Sequence, residues 1–205
     1  MKPPGQYDNN TLYFYGVKIE RIYRILLSRI IKTHTWYRIA KEADIEYSYA
    51  HTVLKGLERD GIIQGNELKD PKTLFKRWAE RKDNRIYREY NIQNPKKVLK
   101  NARMDYAITG YFAENLVGHY LFPRYFELYI HPNDALGWDT LLTKNGYSGK
   151  GNVKTLLTDE HVFFEKYEMS GWPVVSIQQL IIDLLREGAE CTEAANLLIK
   201  KVYYA

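Results

Sequence analysis

One acidic residue on a strand-like run, Glu127 in RYFELYIH, stands where phosphoryl-transfer chemistry would require two. Two-metal nucleotidyl transfer places a small-residue pair at the start of a helix. It then sets two carboxylates two positions apart on the next strand, where they hold the divalent ions that bridge the phosphates. Here Thr109 and Gly110 precede the helical run FAENLVGHY, and Tyr129 takes the place of the second carboxylate. A lone carboxylate cannot hold two such ions, so the expectation is no enzyme, with no catalytic residue, metal or cofactor assigned. The other reactive side chains point the same way. His34, His51, His119, His131 and His161 share no metal-ligand spacing with one another or with Cys191. The glycines of NGYSGKGN lack the GxxxxGK[ST] spacing of a phosphate loop. Cys191 has no catalytic histidine motif beside it and is expected to cap or pack at the start of the last helix.

A second group of side chains is suited to recognition. Ser48, Tyr49, His51, Thr52 and Lys55 fall on the outward side of a helix expected from about Tyr47 to Asp60. Hydroxyl, imidazole and ammonium groups bond base edges and phosphates, and a tyrosine ring packs on a thymine methyl or reaches a phosphate. No arginine occurs on this side before Arg59, which favours an A·T-rich site or one read partly by shape. Arg38 and Lys41, on a short preceding helix, are candidate phosphate clamps, Lys41 being equally an ordinary surface lysine. Gln64 and Asn66, in IIQGNELKD, are candidates to enter the minor groove, and a plain turn explains them as well. The bland alternative for the whole set is a solvated face used for protein contacts.

The elements that must position these residues can be read from periodicity and punctuation. In VKIERIYRILLSRIIK, Ile19, Ile22, Leu26 and Ile30 share one helical face. Thr35 is placed to cap a second helix, WYRIAKEA, which buries Ile39, Ala40 and Ala43. The third helix turns Ala50, Val53, Leu54 and Leu57 inward, and Gly61 stops it. A small residue at Ala40, an apolar plug at Ile45 in the turn and an apolar stripe on the third helix are what helix-turn-helix packing requires. The apolar pair Ile62–Ile63 and the Gly-Asn turn add a short hairpin or wing. The domain reading is therefore 1–70 winged helix-turn-helix, 71–95 helical connector and 96–205 C-terminal α/β domain. In the connector, Pro71 starts a helix that puts Leu74, Phe75 and Trp78 on one side, and 83–95 reads as a loop or short extended strand. The fold class is α+β overall.

Composition sets the bounds. The chain has 205 residues, 45% of them hydrophobic, and no run approaches the roughly 20 apolar residues of a bilayer-spanning helix. With a single cysteine and no apolar leader in MKPPGQYDNN, a cytoplasmic protein is expected. The net charge of +5 is concentrated at the front: residues 1–82 hold 16 Lys+Arg against 10 Asp+Glu, and the remainder 14 against 15. A basic head on a neutral body fits phosphate binding, although solvated helices reach such a surplus by themselves.

The stretches KRWAERK, YAITGYFAENLVGHYLFPRYFELYIHP, GNVKTLLTDEHVFFE and GWPVVSIQQLIIDLLREGAECTEAANLL resemble the AbiEi-type (abortive-infection) antitoxins of type IV toxin-antitoxin systems. The resemblance implies an N-terminal winged helix on the promoter of its own operon, autoregulation, and a toxin protein encoded nearby. The C-terminal half is also similar to a polymerase-beta-type nucleotidyltransferase scaffold without its catalytic pair. The expected function is thus a sequence-directed, double-stranded DNA-binding regulator, an antitoxin-like autorepressor acting as a homodimer on an inverted repeat. The rivals are a nucleotidyltransferase using Glu127 and a protein-protein interaction module.

Overall fold

The computed structural model describes residues 17–28, 35–83 and 85–204. The expected first helix beyond Ser28 and the position of His34 lie outside them. The architecture is mixed α+β with a helical N-terminal part. Helix α1 (Val17–Leu26) is followed by α2 (Trp36–Glu42), α3 (Tyr47–Arg59) and a two-stranded antiparallel hairpin of β1 (Ile63–Gln64) and β2 (Glu67–Leu68). Local chemistry fixes each boundary. Thr35 accepts the Arg38 N–H at the start of α2. Asp44 turns the chain between α2 and α3 at φ +52°, and Gly61 ends α3 at φ +72°. Asp70 caps α4 (Pro71–Ala79), with Pro71 in the first turn, where its missing N–H costs nothing.

Helix α4 is no exposed tether. Leu74, Phe75 and Trp78 are buried, and the Trp78 ring lies under Arg24 and edge-on to Tyr23 of α1. Each such side chain contributes about 1.5–3 kcal/mol by leaving water, so the helix is fastened along its length.

The rest of the described chain forms a seven-stranded sheet ordered β6-β3-β7-β5-β4-β9-β8. Its strands are β3 (Ile86–Ile92), β4 (Tyr106–Thr109), β5 (Phe126–Ile130), β6 (Gly146–Ser148), β7 (Val153–Leu157), β8 (Tyr167–Met169) and β9 (Trp172–Val174). Pairs β5/β7 and β4/β9 are parallel and the others antiparallel. Helices α5 (Pro95–Lys100), α6 (Gly110–Val117), α7 (Ala135–Lys144), α8 (Ile177–Glu187) and α9 (Glu190–Tyr203) complete it. Helix α8 covers the face bearing Thr109 and Tyr129, whose hydroxyls reach Asp183. Helix α7 covers the other, where Tyr90 bonds Asp139 and Tyr106 meets Trp138 edge-on.

One local expectation changes, and two further segments take their shape from their neighbours. The segment expected as loop or short strand is the seven-residue β3, paired with β7 along most of its length. Glu160–Phe163 is a 3-10 turn, capped by Asp159 through the His161 N–H. Part of NGYSGKGN is the edge strand β6, and a Cβ on Gly151 would stand 2.2 Å from the Tyr90 carbonyl oxygen. That glycine serves strand packing.

Candidate nucleic-acid interface

Helix α3 meets α2 through small residues. Ala40 and Ala50 are buried at the crossing, while Leu54 and Leu57 continue the inward face and Val53 is half-buried. The Ile45 N–H donates to the Ala40 carbonyl, closing the turn, and Ile45 packs against the core. Arg21 of α1 locks the same turn by donating to the Ala43 carbonyl at 3.0 Å.

With that face fixed, Ser48, Thr52, Lys55 and Arg59 form one exposed stripe, since they advance at nearly whole turns of 3.6 residues. The Thr52 hydroxyl donates to the Ser48 carbonyl, so its oxygen lone pairs remain for an outside donor. Tyr49 flanks the stripe with its ring 40% exposed. His51 sits differently from the expected outward position. It is half-buried with Trp36 edge-on at 5.2 Å and Tyr47 at 5.8 Å, because the aromatic ring gains more from that packing than from water. Arg38 is exposed and paired within its helix to Glu42 at 2.9 Å, and Lys41 is exposed. Gln64 and Asn66 are both exposed on the hairpin.

The hairpin is held beside α2 and α3 at its tip. The Trp36 indole N–H donates to the Gly65 carbonyl, and the Gly65 N–H donates to Glu58 at 3.1 Å. At its base, Ile62 accepts from Lys69 and Asp70. Trp36 was absent from the sequence-derived set, as were the exposed rings of Tyr37 and Tyr47, tilted together at 6.3 Å. An aromatic run around the capped start of α2 was the available signal. Acidic groups are present as well: Asp44 and Glu46 are exposed at the beginning of α3.

The second candidate region lies in the sheet. Glu127 is 6% exposed, 3.2 Å from the Lys154 ammonium, and burial raises its pKa above the usual carboxylate value against the pull of Lys154. Its carboxylate occupies the space over Gly110, where a Cβ would approach to 1.9 Å, and Gly110 has φ +63°. Tyr129 does not face an opening. Its hydroxyl donates to Asp183 at 2.8 Å, and the same carboxylate accepts from Thr109 at 2.6 Å, Gln179 at 2.9 Å and Arg85 at 3.0 Å. Gln179 in turn accepts from the buried Arg24. The polar groups are thus spent on one another, joining α1, Arg85 just before β3, β4, β5 and α8. Among the described residues, no three His, Cys, Asp or Glu side chains are grouped to hold a metal ion. Cys191 is buried and its thiol pKa is raised by burial, which leaves little thiolate for nucleophilic attack. No helix among the described residues is long and apolar enough to cross a membrane.

The chain matches no protein-family model, and neither a curated protein nor a solved structure is significantly similar to it.

Proposed function

We propose that residues 17–70 act as a winged helix-turn-helix on double-stranded DNA, with α3 in the major groove, and that the protein is a transcriptional regulator. The observation that carries the reading is the exposed stripe Ser48–Thr52–Lys55–Arg59, backed by a buried apolar face and flanked by a tethered hairpin. Hydroxyls and cations in one line suit a groove edged by phosphates. Lys55 and Arg59 carry the phosphate contacts, Ser48, Tyr49 and Thr52 the contacts toward bases, and Gln64 and Asn66 the flanking groove. Two copies on an inverted repeat double the base contacts. An antitoxin-like autorepressor with a nearby toxin is the form implied by the family resemblance. In this reading the sheet is a body that seats the reading head, and Glu127 is a structural carboxylate.

The test is fluorescence anisotropy of the purified chain with the duplex upstream of its own reading frame, at rising salt. With about three to five phosphates neutralised per subunit, log K should fall against log salt with a slope of about −2.7 to −4.5 per subunit. Lys55→Glu with Arg59→Glu should flatten that slope. A salt-independent response, or affinity unchanged in the double variant, overturns the reading.

A further inference from the structure

Two adjoining depressions lie between α4 and the C-terminal helices, away from α3. One, of about 310 Å³, has Phe75, Leu185 and Ile199 as its apolar floor. The other, of about 520 Å³, shares Lys72, Asn196 and Ile199 with it and runs on past Lys200 to Tyr204. Together they make one groove at the scale of small-molecule sites, which span roughly 300–1,000 Å³ and pair apolar walls with few polar groups.

The charge around this groove has one sign. Lys72 and Lys76 stand on the α4 side and Lys200 on the α9 side, all exposed, and no lining residue is acidic. Among the described residues none of these three ammonium groups has an ion-pair partner, although most arginines of the fold are paired. Asp70, the carboxylate that feels Lys72, is already engaged as the cap of α4, 2.9 Å from the Thr73 N–H. An apolar trough with unpaired ammonium groups on both rims complements a molecule with an apolar body and an anionic head. Neutral apolar ligands would leave the cations unused, and inorganic anions would leave the floor uncovered.

From this geometry we infer that the groove between α4 and α9 binds a small organic anion with an apolar body, of the medium-chain carboxylate class. The site does not depend on the DNA-binding reading. It does sit on the helix that follows the hairpin directly, so its occupant would wedge α4 against α9.

Binding is measured on the full chain by displacement of 8-anilinonaphthalene-1-sulfonate, itself an apolar anion, followed by its fluorescence. One saturable site per chain is expected. Octanoate should displace the dye about ten-fold more tightly than hexanoate, through two further buried methylenes. Octanol, equal in length and uncharged, should be weaker than octanoate by about ten-fold, the head being held by screened ammonium groups. Lys72→Glu with Lys76→Glu should abolish the preference for octanoate over octanol. Asn196→Trp, an exposed position shared by both depressions, should fill the groove and remove the saturable signal while thermal unfolding stays unchanged. Absence of saturable displacement, equal affinity for octanoate and octanol, or dye binding unaffected by Asn196→Trp would each overturn the inference. So would concentration-dependent self-association abolished by Asn196→Trp, which would give the groove to a second copy of the chain.

Discussion

The indole N–H of Trp36 donates to the carbonyl oxygen of Gly65 over 2.8 Å, so the first residue of α2 holds the tip of the hairpin. A two-stranded hairpin is marginal by itself in water, and this bond, with Glu58 on the Gly65 N–H, fixes its height beside α3.

Trp36→Phe deletes the donor and keeps an aromatic ring beside His51, though a smaller one. A single exposed hydrogen bond is worth about 0.5–1.5 kcal/mol, so affinity for duplex DNA is expected to fall about two- to ten-fold with little change in melting temperature. Anisotropy and a thermal melt on the same sample check this. Equal affinity would show that the hairpin contributes no contact.

Gly110→Ala is expected to destabilise the fold by about 2–4 kcal/mol. The new methyl both occupies the space of the Glu127 carboxylate and sits on a backbone at φ +63°. Combining it with Glu127→Ala should recover the steric part and leave the backbone part, as read from urea unfolding. A double variant no more stable than Gly110→Ala would place the whole cost in the backbone.

Asp183→Asn preserves shape but removes the charge that faces Arg85. Because Asp183 is buried and accepts from Thr109, Tyr129 and Gln179 as well, a loss of about 3–5 kcal/mol is expected. Chemical denaturation measures it. A loss below about 1 kcal/mol would mean that water reaches the network.

His161 supplies a pH dependence. Its pKa is pushed down to about 4, first by burial and next by the Arg24 guanidinium. Arg24 donates to Nδ1, and Nε2 is left to donate to the Glu42 carbonyl, which requires the neutral ring. The unfolded chain takes up a proton near 6.5 that the folded chain refuses until about 4. Stability therefore rises with pH across this window. The contribution is complete above about 6.5 and is lost as pH falls toward 4, a difference of about 3 kcal/mol. His161→Gln should remove this slope. Unfolding free energies at pH 5 and pH 7.5 for both proteins decide it, and parallel slopes would refute the assignment.

The sequence exposed those parts of the fold whose causes are local. Thr35 before α2 and Asp70-Pro71 before α4 are punctuation that acts within one turn, so the helices they start were readable. The buried stripe of α3 was readable too, because a period of 3.6 residues is imposed by the helix itself. Strand β3 was harder. Its exposed Ile86 and Tyr87, and its buried Tyr90 and Ile92, follow neighbours in β6 and β7 rather than a simple alternation. Within the candidate interface, Tyr49 and Lys55 stand outward as their spacing implies, but His51 turns to Trp36, a choice made between two helices. The Arg85–Asp183 pair joins residues 98 positions apart, and no local rule links them.

The fastening of α1 has a consequence for how the chain is made. Arg21 finds Asp159 138 positions later, Arg24 finds Gln179 155 later, Glu20 finds Arg186 166 later, and Leu27 accepts from Tyr203 176 later. On a ribosome, α1 emerges long before Asp159, Gln179 and Arg186, the side chains that bond Arg21, Arg24 and Glu20. Its full set of contacts must wait until the chain has emerged past Tyr203, which makes its final docking a late event relative to the helices that pack on near neighbours.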